Sequence, residues 1–321
     1  MKTSLIAGLG IVALVAAACG GDDGATTTAQ EGGADAAPVE VVASFYPLAE
    51  AAERVGGDRV RVTNLTPAGA EPHDIELNPR QVESILGADV VLVMGRGFQP
   101  AVERLAERSG GLVVELLEQL PIDAEGEVAE DSHDDEDDED DGHGEGALDP
   151  HVWLDPTLMS AIVDEVVVAL SEVDPDGAEA FEANGEDFAA ELADLDERYQ
   201  EALADCRHDL IVVQHEAFGW MTDRYGLRQE GIAGLSPEQE PNPRRMAELV
   251  ELVQEEGINV VFTETLVSPR VAEALAREAG VETLTLNPLE GLTDEQRAAG
   301  ESFTSIMDGN LDNLVTALEC S

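Results

Sequence analysis

From Val39 onward, short runs of β-branched residues alternate with stretches whose apolar residues recur every three or four positions. Residues 39–45, 60–65, 90–94 and 112–116 are the strand-like runs of a first series, and residues 48–55, 79–86 and 100–108 between them have helical spacing. Residues 209–214, 260–263 and 281–286 form a second series. There Ser268 caps a helix with Pro269 at its first position and Gly280 at its end, and Pro243 and Gly257 bracket another. Strands that alternate with helices build parallel sheets, so the expected fold class is α/β, arranged as two βα lobes. Between the series, Phe181, Phe188, Leu192, Leu195, Tyr199 and Leu203 recur at helical intervals among Asp, Glu and Ala. That pattern implies one long rigid helix, buried along a narrow stripe, that joins the two lobes.

The residues before Val39 have another role. Lys2 precedes an apolar stretch, residues 5–15, too short to span a bilayer, and small residues Ala16, Ala17 and Ala18 lead into Cys19. This reads as a lipoprotein signal peptide over residues 1–18, with Cys19 as the lipidated N-terminus. Residues 19–38 are a flexible tether, since their Gly, Ala, Thr and Asp have almost nothing to bury. The mature chain is therefore expected outside the cytoplasm, anchored to the cell membrane. In an oxidising compartment the two remaining cysteines, Cys206 and Cys320, are expected to form a disulfide. Metal ligation is the alternative, with only His208 near either of them.

Charge narrows the partners. Asp and Glu number 69 against 17 Lys and Arg, a net charge of -52. So acidic a surface repels nucleic acid and anionic headgroups and enriches cations. Nine of the acids crowd into residues 131–141, within an acidic loop, residues 125–146, that also holds His133 and His143. Nothing in it can enter a core, so it is expected to be a disordered insertion in the first lobe. It serves either as a weak electrostatic collector of metal, with His133 and His143 as auxiliary groups, or as a solvated charge run.

The other histidines are few enough to weigh singly. His208 lies in a polar turn and is expected to be solvated. His73 and His151 both follow an acid-Pro pair, Glu71-Pro72 and Asp149-Pro150. Proline stiffens the approach to each histidine. His215 follows the apolar run Leu210-Ile211-Val212-Val213, at the carboxyl edge of a parallel sheet, where ligands of α/β folds gather. Three such imidazoles suit zinc, copper, nickel or iron, whereas manganese sites lean on oxygen. A carboxylate would complete a tetrahedral shell, and Glu264, Glu290, Asp155 and Glu216 all remain candidates.

Several of these segments together resemble the solute-binding lipoproteins of zinc and manganese ABC importers, the cluster A-I family of ZnuA/AdcA type. They are Ser44-Phe45-Tyr46-Pro47-Leu48, Pro67-Ala68-Gly69-Ala70-Glu71-Pro72-His73-Asp74, Asp149-Pro150-His151-Val152-Trp153-Leu154-Asp155-Pro156, His215-Glu216-Ala217-Phe218-Gly219-Trp220, Phe262-Thr263-Glu264 and Leu286-Asn287-Pro288-Leu289-Glu290-Gly291-Leu292. The resemblance spans nearly all of residues 41–318. It implies a metal site in the cleft between the lobes, with His73, His151 and His215 as ligands. Manganese-type members usually carry a carboxylate at the third position, so His215 points to Zn2+. For the fourth ligand the resemblance favours Glu290, with Glu264 and Asn287 as alternatives. It further implies an ABC permease and its ATPase as partners. The expected organisation is a first lobe over residues 39–175, a linking helix over 176–205 and a second lobe over 206–321, acting as a monomer.

Other readings are a manganese-binding protein of the same class, a cell-surface adhesin and a zinc hydrolase. Neither a His-Glu-x-x-His nor a Gly-x-Ser-x-Gly motif occurs. The chain is accordingly read as a binding protein and not as an enzyme.

Overall fold

The computed structural model describes residues 37–122, 148–239 and 241–321. Its first half runs β1 (Val39–Ala43), α1 (Tyr46–Gly56), β2 (Val60–Asn64), α2 (Pro79–Gly87), β3 (Val90–Val93), α3 (Pro100–Ala106), β4 (Leu112–Glu115) and α4 (Leu116–Gln119). The four strands form one parallel sheet in the order β2-β1-β3-β4, with Val41 opposite Val90 and Val90 opposite Leu112. All four residues of β3 are buried, as expected of a central strand covered on both faces. Strand order reverses between β1 and β3, the kind of switch point beyond whose strand ends such sheets place ligands.

Two helices cross to the second half. α5 (Pro156–Val173) starts at Asp155, whose carboxylate accepts the Thr157 N–H at 2.7 Å, and α6 (Ala178–Leu203) follows a 3-10 turn over Pro175–Gly177. At 26 residues, α6 is about 39 Å long at roughly 1.5 Å per residue. Its stripe of Phe181, Phe188, Leu192, Leu195, Tyr199 and Leu203 is buried throughout, against α1 and α5 and against the C-terminal helix. The Tyr199 hydroxyl donates to the Met307 carbonyl at 2.7 Å, which satisfies a polar group that would be costly to bury alone.

The second half continues with β5 (Leu210–His215), α7 (Gly219–Tyr225), β6 (Arg228–Ala233), α8 (Pro243–Glu255), β7 (Val260–Thr263), α9 (Arg270–Ala279), β8 (Glu282–Thr285), α10 (Asp294–Ala299) and α11 (Phe303–Ala317). β5 pairs in parallel with β6 and β7 with β8, and β5 packs beside β7. One hydrophobic cluster contains Val41 and Leu92 of the first half, the α6 stripe, and Val213, Leu286 and Phe303 of the second. The two halves therefore share a core through the long helix. Among the described residues, no helix is long and apolar enough to cross a membrane.

Helix ends follow local chemistry. Asn78 caps α2 in a reciprocal box with Gln81, and Asn242 caps α8 by accepting from Arg244 and Arg245. At α9 the expectation needs correction. Pro269 is itself the cap residue, no side chain caps the helix, and it begins at Arg270, while Gly280 ends it in the left-handed conformation as expected. Two elements carry no clear periodicity in sequence. β6 opens with Arg228, Gln229 and Glu230 because among the described residues it pairs with β5 alone, and α5 contains a valine run that would equally suit a strand.

Cys206 and Cys320 are joined, tying the segment before β5 to the end of the chain after α11 across 114 residues. Closing so long a loop restricts the unfolded chain, so Cys206→Ser should lower stability by about 2–4 kcal/mol. Urea unfolding without reductant checks this, and an unchanged midpoint would refute it.

Candidate metal centre

Each histidine at the site is fixed through its own backbone by a carboxylate. His73 lies in the loop between β2 and α2, and Glu71 accepts its N–H at 3.0 and 3.1 Å. His151 precedes a 3-10 turn over Val152–Leu154, and Asp149 accepts its N–H at 3.0 Å and meets its ring Nδ1 at 2.6 Å. His215 ends β5, and Glu264, just beyond β7, takes its N–H at 2.9 Å and its Nδ1 at 2.8 Å. The two acid-Pro-His segments are thus one device used twice. Proline fixes the direction of the chain and the acid two residues before the histidine closes the turn.

With Nδ1–H donated to a carboxylate, the lone pair of His151 and of His215 sits on Nε2. Both Nε2 atoms are buried without a hydrogen-bond partner. They stand 3.3 and 3.2 Å from Oε1 of Glu290, and Nε2 of His73 stands 3.0 Å from the same oxygen. All four candidate donor atoms lie within 4.8 Å of one another. Donors on a tetrahedral zinc are about 3.3 Å apart when the bonds are about 2.0 Å, which matches the spacing to Glu290. The side chains of His151 and His215 are fully shielded and that of Glu290 is 1% exposed, while His73 is the most open at 10%. Phe98 lies edge-on to His73 at 4.6 Å between ring centroids, and Trp153 packs against His151 at 5.2 Å.

The electrostatics call for a cation at the centre. Burial opposes charging His215, but Glu264 and Glu290 outweigh it and lift the imidazole well above its ordinary pKa. For His151, burial is likewise outweighed by Asp149, and its pKa is raised. Burial acts to raise Glu290, yet His215, His151 and His73 hold it well below the usual carboxylate range. A soft divalent ion satisfies the same demand that protons meet on these rings.

Residues 41–317 match the family described as ZnuA, zinc-uptake complex component A, periplasmic. The chain belongs to this family. It is 35% identical to the high-affinity zinc uptake system protein ZnuA of Bacillus subtilis over 310 residues, covering 95% of this chain and 94% of that one. It is 36% identical to the zinc-binding lipoprotein AdcA of Streptococcus pneumoniae over 283 residues, covering 86% of this chain and 55% of AdcA. The chain thus spans about half the length of the curated AdcA relatives it matches. The Zn(II)-bound ZnuA-like domain of Streptococcus pneumoniae AdcA superposes with a TM-score of 0.72 at 32% identity, covering 88% of this chain and 99% of that domain.

In this ZnuA-family member, the structure brings His73, His151, His215 and Glu290 together and leaves the other carboxylate candidates outside the cluster. The oxygens of Glu264 face the far nitrogen of the His215 ring, at 2.8 Å from Nδ1. Asn287 is engaged within its own turn. Its Oδ1 accepts the Leu289 N–H at 2.9 Å, and its backbone pairs in both directions with Asn310 at 2.8 and 2.7 Å, so it shapes the turn that presents Glu290. Asp155 caps α5 and stands 3.5 Å from Arg224. The N–H of Glu216 bonds to the Gly234 carbonyl. His208, expected in solvent, is half-buried. Cys19, His133 and His143 lie outside the described residues.

Sequence reasoning missed the supporting roles of Glu71 and Asp149, although both acids stand at the same offset from their histidines. It also missed Gly219, where a Cβ would lie 2.6 Å from Oδ2 of Asp149, so glycine lets α7 approach the His151 clamp. Removing the charge from one clamp tests the arrangement. Glu264→Gln should weaken divalent-metal binding by about ten- to a hundredfold, read by competition with a chromophoric chelator. Unchanged affinity would mean that the carboxylate does not tune His215.

Proposed function

We propose that this chain captures zinc outside the cytoplasm and delivers it to a membrane ABC permease driven by its ATPase. The observation that carries the reading is the convergence of three imidazole Nε2 atoms on one oxygen of Glu290. Imidazole-rich sets favour zinc over manganese. Four protein donors enclose the ion as cargo, whereas a catalytic zinc keeps a position open for water. The names of the Bacillus subtilis and Streptococcus pneumoniae relatives support zinc uptake as the setting. In this reading His73, His151, His215 and Glu290 are the ligands. Cys19 carries the lipid, residues 19–38 tether the protein to the membrane, and the chain works as a monomeric binding protein without catalysis. Residues 39–175 and 206–321 act as lobes on either side of the 176–205 helix.

Binding is expected to be coupled to proton release. The imidazoles bind metal only when neutral, and His215 is held well above its ordinary pKa by Glu264 and Glu290. Protons therefore compete more strongly as pH falls, while Glu290, held low, stays ionised. Zinc affinity should drop steadily from about pH 8 to about pH 5.5, and the observed calorimetric enthalpy should vary linearly with buffer ionisation enthalpy, with a slope equal to the protons released on binding. An affinity flat across that range would contradict this.

The direct test is metal content. The chain from Ala37 onward should retain one tightly held zinc, and a His73→Ala, His151→Ala, His215→Ala variant none. Tight manganese in the parent would reject zinc as the cargo, and zinc kept by the variant would reject the site.

A further inference from the structure

The sequence contains two tryptophans, Trp153 and Trp220. Both are buried, and each spends its indole N–H on a backbone carbonyl from the opposite half of the chain. Trp153, two residues beyond His151, donates to Pro288 at 2.8 Å, two residues before Glu290. Trp220, on α7 in the second half, donates to Asp149 at 3.0 Å, and Asp149 is the residue whose carboxylate holds the His151 ring. The two bonds run in opposite directions, and each ends on the segment that delivers a ligand.

What they hold is not self-supporting. Leu289, between Pro288 and Glu290, has φ +55, a left-handed conformation that side-chain-bearing residues adopt only where surrounding structure enforces it. On one side Asn287 and Asn310 tie this turn to α11. On the other side the bond from Trp153 ties it to the first half. Asp149 has a comparable setting, because the bare backbone of Gly219 lets α7 sit against its carboxylate.

We propose that Trp153 and Trp220 are positioning residues for metal capture, two crossed indole-to-carbonyl bonds that set the separation of the His151 and Glu290 donors. This rests on the zinc-site reading above. If the rings only filled space, the smaller phenylalanine would cost stability through the cavity it leaves, without selectively changing the metal geometry. Outer partners of metal ligands change affinity when removed, because the ligands then no longer meet the ion in their prepared arrangement.

The experiment compares the full chain with Trp153→Phe, Trp220→Phe and Glu290→Gln. It measures zinc affinity and dissociation rate by chelator competition, the cobalt(II) ligand-field absorption and the melting of the metal-free protein. Each tryptophan variant should bind one zinc about tenfold or more weakly, release it faster and alter the cobalt band, with metal-free melting still cooperative. Parental affinity with a parental cobalt band in either variant overturns the proposal for that residue. Should Trp153→Phe not fold, Asn310→Asp strains the same turn from its other side by removing the donor to the Asn287 carbonyl. Weaker zinc binding there supports the held turn, and unchanged binding overturns it. Glu290→Gln separates the two levels of inference. Lost affinity there beside unchanged tryptophan variants removes the clamps alone, and unchanged affinity in Glu290→Gln removes the site itself.

Discussion

The site depends on which ring nitrogen carries the proton. An imidazole has one lone pair to give a metal, and its direction is set by the hydrogen bond on the other nitrogen. Asp149 and Glu264 sit against Nδ1 of His151 and His215, so both rings present bare Nε2 atoms to the same point. The same carboxylates also bind the histidines' backbone N–H groups, which fixes ring direction and main-chain position together. His73 has only the main-chain half of this arrangement, through Glu71, and is correspondingly the least shielded of the three.

The arrangement concentrates negative charge where water is scarce. Glu290 and Glu264 are almost wholly buried, and Asp149 lies close by. Carboxylates taken out of water are costly unless a cation compensates them. The raised imidazoles and the lowered Glu290 are two expressions of that one requirement. It also separates the site from the acidic exterior. Surface acids enrich any cation weakly, while the enclosed cluster selects by ligand type and geometry.

Much of this was legible in the sequence, for identifiable reasons. Strand-helix alternation is a local pattern, so the parallel sheets and α6 could be read directly. His73, His151 and His215 stood out because proline or a strand end precedes each. The choice among Glu264, Asn287 and Glu290 could not be made from spacing. They follow neighbouring strands, and what separates them is where each side chain turns: Glu264 to Nδ1 of His215, Glu290 to its Nε2 and Asn287 to the Leu289 N–H. Family resemblance favoured Glu290 where periodicity was silent. The acids before His73 and His151 were visible, but their meaning required the turn geometry. β6 went unseen because an edge strand need not be apolar along its length.

The long helix has a consequence for motion. Because α6 buries its stripe in a core continuous with both halves, swinging the halves apart would shear that core and expose aromatic side chains along its length. Bending of that kind is far more costly than displacing one loop. The loop that carries His73, the imidazole with the fewest supports, lies outside that shared core. The molecule is built less like a closing jaw than like a fixed frame, with its loosest joint at that loop.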